Sequence, residues 1–126
     1  MVKITVSADC GNAPQKLLLK DLNIAFVKGD TAFITNSVAD DLMWEFVGDQ
    51  TIHGKDDFVK AVKQKLSDKA AALTITNVIT HGKEGAVNGE RAMENGKKYA
   101  FCDVCAFRDT KGNTIKSITS YGIEIK

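Results

Sequence analysis

From Ala72 onward the chain is dominated by β-branched residues interrupted only by short turn signals, and this pattern leaves few folds open. Leu73 to Thr80 is rich in Thr, Ile and Val, whose branched side chains suit a pleated surface. Gly85 to Met93 predicts a second strand, and Asn95-Gly96 after it is a strong short hairpin signal, read here as a type I′ turn. Tyr99 to Arg108 predicts the return strand, Lys111-Gly112-Asn113 a further turn, and Thr114 to Ile125 the last strand. The first half differs. Asn12 can cap a helix with Pro14 in its first turn, and Leu18, Leu19, Leu22, Ala25 and Phe26 then recur at the spacing of one apolar helical face. Gly29 is placed to end that helix, and Asp30 to cap a short second one carrying Phe33 and Ile34. Leu42, Trp44 and Phe46 alternate with Met43, Glu45 and Val47 as in a strand. Phe58, Val59, Val62 and Leu66 follow Gly54 at helical spacing. Three helices followed by hairpin-connected strands define an α+β fold, with the helices on one face of an antiparallel sheet.

Residues 1–126 read as a single domain, with one proline and no linker-like or repeated segment. At 44% hydrophobic and 26% charged the chain can fold around an ordinary core without metal or disulfide. A formal charge of +1, from 17 basic and 16 acidic residues, argues against a nucleic-acid or anionic-membrane surface. No apolar run approaches the roughly 18 residues that span a bilayer. Met1 to Val6 lacks the pattern of a secretory signal. Three cysteines, with no second pair to join Cys102 and Cys105, fit reduced thiols in a cytoplasm better than a zinc site. His53 and His81 lack metal-ligand spacing, and no glycine-rich phosphate loop is present, so neither a metal nor a cofactor is expected.

The order of elements resembles the cone fold of nuclear transport factor 2 and ketosteroid isomerase (the NTF2-like fold). Local motifs agree: Ala25-Phe26-Val27-Lys28-Gly29-Asp30 resembles the family's helix ending in Gly-Asp, and Ala39-Asp40-Asp41-Leu42-Met43-Trp44 its Ala-Asp-Asp strand start. Ile52-His53-Gly54-Lys55-Asp56-Asp57 resembles the loop that leads to its third helix. The likeness runs from about Asn12 to Ile125 and points to the SnoaL-like branch. It implies N-terminal helices packed in a curved antiparallel sheet, with a ligand pocket at the open mouth of the cone. Ketosteroid isomerases carry a tyrosine eight residues before the Gly-Asp aspartate, where this chain has Leu22, and an aspartate base where the nearest match is Phe46. Neither residue can donate to an oxyanion or move a proton, so isomerase chemistry by the standard residues is not expected.

Tyr99, Phe101, Asp103, Cys105 and Phe107 share one face of a strand, which puts Asp103 in the middle of a mainly apolar row. Inside an apolar cone its carboxyl would have a raised pKa and could act as a general acid or base. The alternative is a structural carboxylate bonded to a neighbouring Thr, Ser or Arg. With Asp103 as the catalytic candidate, Leu22, Phe26, Trp44, Phe46, Phe101, Cys105 and Phe107 are the expected ligand-binding wall for a small apolar molecule. Trp44 could equally serve a core or a dimer, and Cys105 a buried hydrophobe. Counting outward from a two-residue turn, Arg91 does not oppose Asp103 directly. The resemblance also implies homodimerisation through the sheet, for which Ile115, Tyr121, Ile123 and Ile125 would provide an apolar face. Two functions therefore stand open: a small-molecule-binding protein or acid–base enzyme (isomerase, dehydratase or cyclase type), and a non-catalytic association module.

Overall fold

The structure, a computed structural model, describes residues 2–7, 13–65, 69–109 and 114–126. The expected cap at Asn12, the apolar position Leu66 and the turn Lys111-Gly112-Asn113 lie outside those residues. The elements run β1 (Lys3–Val6), α1 (Pro14–Lys28), α2 (Thr31–Ser37), β2 (Val38–Phe46), β3 (Gln50–His53), α3 (Lys55–Lys65), β4 (Ala70–His81), β5 (Glu84–Met93), β6 (Lys98–Phe107) and β7 (Ile115–Ile125). Seven strands form one curved, unclosed sheet in the order β1-β4-β5-β6-β7-β2-β3. The ladder β4–β5–β6–β7 is antiparallel, with each strand beside its sequence neighbour. Two parallel pairs flank it, β1 on β4 and β2 on β7. Parallel neighbours need a long connection, and the helices and strands between each pair supply it.

Helix α1 starts with Pro14, after Ala13 in the cap position, and ends at Gly29 in the left-handed conformation. The Asp30 side chain then accepts from Phe33 N–H at 3.1 Å and starts α2. Helix α1 lies on β4 and β5, α3 on β2 and β3, and α2 touches both helices, so the helices fill the hollow of the sheet. At one end the contact is close: a Cβ on Gly85 would come within 2.8 Å of Leu19 Cδ1. Glycine there, facing Cys105 on β6, lets helix and sheet approach. The core that results includes Leu19, Leu22, Phe58, Phe107 and Ile115, all essentially buried.

Two details differ from the expectation. Asn95 does not take positive φ, so the β5–β6 connection is not a type I′ turn. Gly96 N–H donates to Met93 O at 3.0 Å and Met93 N–H to Lys97 O at 2.8 Å, with Gly96 at φ 89°. This is a three-residue loop ending in a left-handed glycine. It moves the register by one residue, so Arg91 pairs with Tyr99. A register irregularity in β7 beside Phe107 is the second difference. It turns Ile115 into the core, while Tyr121, Ile123 and Ile125 stay exposed.

Candidate functional site

A cavity of about 390 Å³ opens between the C-terminal half of α1 and the inner faces of β5, β6, β7 and β2. One wall is aromatic. Trp44 stacks on Phe26 with ring centroids 6.3 Å apart, and Phe58 and Phe46 meet the indole edge-on at 5.1 and 5.8 Å. The Leu42-Trp44-Phe46 alternation puts these residues on one face of β2, and in the fold that face is the inner one. Phe58 backs the wall from α3.

The opposite wall is polar. Trp44 Nε1–H donates to Ser120 Oγ at 2.9 Å, and Ser120 in turn hydrogen-bonds to the Asp103 carboxylate, its cross-strand neighbour. Burial pushes the Asp103 pKa above the ordinary carboxylate value, against the opposing pull of the Ser120 bond and the Arg91 charge. Desolvation prevails because one hydroxyl and one diagonal cation do not replace the hydration of a carboxylate. Arg91 shares the inner face, two rungs toward the hairpin, with its guanidinium 5.1 Å above the Phe101 ring. Asn23 completes the site from α1; its Nδ2 donates to Leu19 O at 3.0 Å.

Of the residues expected to form the site, Asp103, Phe26, Trp44 and Phe46 line the cavity together. Leu22, Phe101, Cys105 and Phe107 do not. They belong to the buried core, because α1 closes over the narrow end of the cone and Arg91 covers the Phe101 ring. Burial and the nearby Asp103 charge push the Cys105 thiol well above its usual pKa, which disfavours the thiolate. His53 and His81 sit exposed at strand ends. Among the described residues, no group of His, Cys, Asp or Glu is placed to hold a metal ion, and no helix is long and apolar enough to cross a membrane.

Sequence reasoning missed Ser120 and Asn23. Ser120 had a readable signal, since it alternates with the outward Tyr121 and shares the inner face with Ile118. Asn23 had none, being a polar residue beside Leu22 in an apolar stripe.

A helix-filled, curved sheet with a part-polar cavity at its wide end defines a cone-shaped α+β fold. The family model of the SnoaL-like domain matches residues 20–115, and the chain belongs to that family. An NTF2-like protein of unknown function from Cytophaga hutchinsonii is similar at 27% identity and TM-score 0.67, over 85% of this chain and 97% of that one. A candidate ketosteroid isomerase from Kribbella flavida shares the fold at TM-score 0.76 and 15% identity, over 90% and 80% of the two chains. An LEH-like epoxide hydrolase of M. tuberculosis does so at TM-score 0.74 and 17% identity, over 87% and 83%. No curated protein matches the sequence.

Proposed function

We propose that the cone binds a small, mainly apolar molecule and that Asp103 serves there as a general acid or base, in chemistry of the isomerase, dehydratase or cyclase type. The observation that carries this reading is a carboxyl with a raised pKa on the wall of an aromatic cavity, held by a Trp44–Ser120–Asp103 relay. A raised pKa brings a carboxyl nearer to the pH at which it can both take and give a proton. The relay fixes the carboxyl without neutralising it, since Ser120 donates a hydrogen bond and carries no charge. Fold neighbours described as a candidate ketosteroid isomerase and an epoxide hydrolase are compatible with small-molecule chemistry in such a cone. The two described cysteines are free thiols, which supports a cytoplasmic setting.

Carboxyl-selective NMR titration of Asp103, with and without octan-1-ol, tests the proposal. The expected result is a pKa above 3.8 that moves when the alcohol is added. An ordinary value indifferent to the alcohol would remove the reason to place acid–base chemistry here.

One observation favours a second reading, a non-catalytic homodimer. On the outer face of the sheet Ile123 and Ile79 are 70% and 64% exposed, near Val104 and Tyr121. A second copy of this chain would cover that face. A solution mass near 13.7 kDa by light scattering would overturn it, and twice that mass, lost in Ile123→Lys, is the expected result.

A further inference from the structure

The proposed cavity leaves one strong group without a task. Arg91 lies on the inner face of β5 and lines the cavity, with its guanidinium carbon over the Phe101 ring, 5.1 Å from the centroid. A ring face offers the guanidinium no oxygen acceptor, so its fork of N–H donors still has hydrogen bonds to make. Among the described residues no hydrogen-bond acceptor or ion-pair partner engages that fork. Asp103 acts on it only through its charge: it pairs across the ladder with Val87, two inner-face rungs from the Arg91–Tyr99 pair, and no ion-pair contact joins the two among the described residues. Between those rungs stands Gly89, opposite Phe101, where a Cβ would collide with Thr74 O. No side chain on β5 can therefore screen Arg91 from the cavity on that side.

An arginine in this position is costly to bury without an anion, because its charge loses water and gains a ring face, a diagonal carboxyl and the neighbouring Tyr99. Burial indeed depresses its pKa, while the Asp103 charge works the other way; an arginine keeps its proton nonetheless. The lining also holds Lys28 and Lys69 against Glu94, so the cationic side prevails apart from Asp103. Resting on the small-molecule reading above, we propose that the ligand of this cavity carries a carboxylate, seated on the N–H edge of Arg91, with its apolar body against Phe26, Trp44 and Phe46. A guanidinium edge and a carboxylate match as a two-bond fork, which a hydroxyl or an ammonium cannot reproduce. The site thus selects monocarboxylates with an apolar body over neutral or cationic molecules of the same shape.

Three probes with the same eight-carbon chain separate the charge from the body: octanoate, octan-1-ol and octylammonium. Trp44 is the single tryptophan of the chain, so its fluorescence reports on the cavity directly. Octanoate is expected to bind the wild-type protein at least about tenfold more tightly than octan-1-ol, with octylammonium weakest. Arg91→Met, which keeps an unbranched stem over Phe101, should bring octanoate to the level of octan-1-ol and leave the alcohol within about threefold of wild type. Arg91→Lys should keep a reduced preference, since the charge remains and the fork is lost. Should Arg91→Met fail to fold, the Arg91 Nε–H resonance of the wild-type protein, shifting with octanoate and not with octan-1-ol, carries the same information. Equal binding of octanoate and octan-1-ol to wild type overturns the carboxylate assignment and leaves the apolar cavity standing. A preference that survives Arg91→Met and disappears in Lys69→Gln overturns the role of Arg91. If none of the three probes perturbs Trp44, the small-molecule reading falls with this one.

Discussion

At the closed end of β6, Phe107 and Cys105 belong to the buried core beside β5 and β7, 1% and 2% exposed. Two residues along the same face, Asp103 borders a cavity, and its carboxyl is bonded to Ser120. The backbone, the alternation and the neighbouring strands are the same for both halves, so the strand itself does not set the difference. Helix α1 does. It descends onto Gly85 near Leu19, where glycine leaves room, and it ends at Gly29 on the cavity rim. A cone built in this way has a dry end that holds the fold and a wide end that can hold a polar group at a stability cost. The two ends should answer differently to substitution.

The largest effect is expected at the dry end. Phe107→Ala should cost about 3–5 kcal/mol, since it removes a buried ring and leaves a void that rigid neighbours do not fill. Urea unfolding measures this, and a loss no greater than that of any change at the mouth would break the comparison. At the wide end Ser120→Ala should cost less, about 1–3 kcal/mol, by removing the Ser120 hydrogen bond from both the Trp44 N–H and the Asp103 carboxyl. The same variant should raise the Asp103 pKa further, because the bond it removes favours the charged form; NMR titration reads this directly.

Asp103→Asn should give the smallest change, and one of opposite sign. A carboxyl whose pKa is raised in the folded state contributes stability below its unfolded value and loses it as pH rises through the folded value. At neutral pH the asparagine variant is therefore expected to be more stable than wild type, by losing the penalty of a desolvated charge. That advantage should fade as pH falls through the folded value towards about 3.8, and be gone below it, where the wild-type carboxyl is protonated in both states. Thermal melts across pH 3 to 8 would sharpen the contrast, and a variant less stable at neutral pH would show that the charge itself holds the mouth together.

Much of this architecture was legible in the sequence. The stripe of Leu19, Leu22 and Ala25 defines the buried face of α1, the Leu42-Trp44-Phe46 parity puts the indole on one face with two apolar neighbours, and the row from Tyr99 to Phe107 puts Asp103 on one face of β6 with apolar residues. These are local periodicities, and burial follows them because a helix stripe or a strand face must be covered as a unit. The strands β1 and β3 were not legible. Each has four residues and owes its conformation to a partner far away in the chain, β4 for one and β2 for the other.

What the sequence determined by itself was the face on which each residue lies within its own element. Tertiary structure decided which faces meet and where the helices stop covering the sheet. The loop at Asn95-Gly96 illustrates the first point: with a two-residue turn Arg91 would oppose Ala100 and stand on the opposite face from Asp103, whereas the three-residue loop pairs it with Tyr99 and brings both charges into the cone. The division of β6 into core and cavity illustrates the second. Cys105 and Asp103 have the same parity, but Cys105 lies beside Gly85, where α1 comes down on the sheet, and Asp103 lies at the cavity. Alternation is a property of one strand, while register and coverage depend on contacts between residues distant in the chain, and it is those contacts that give this cone its site.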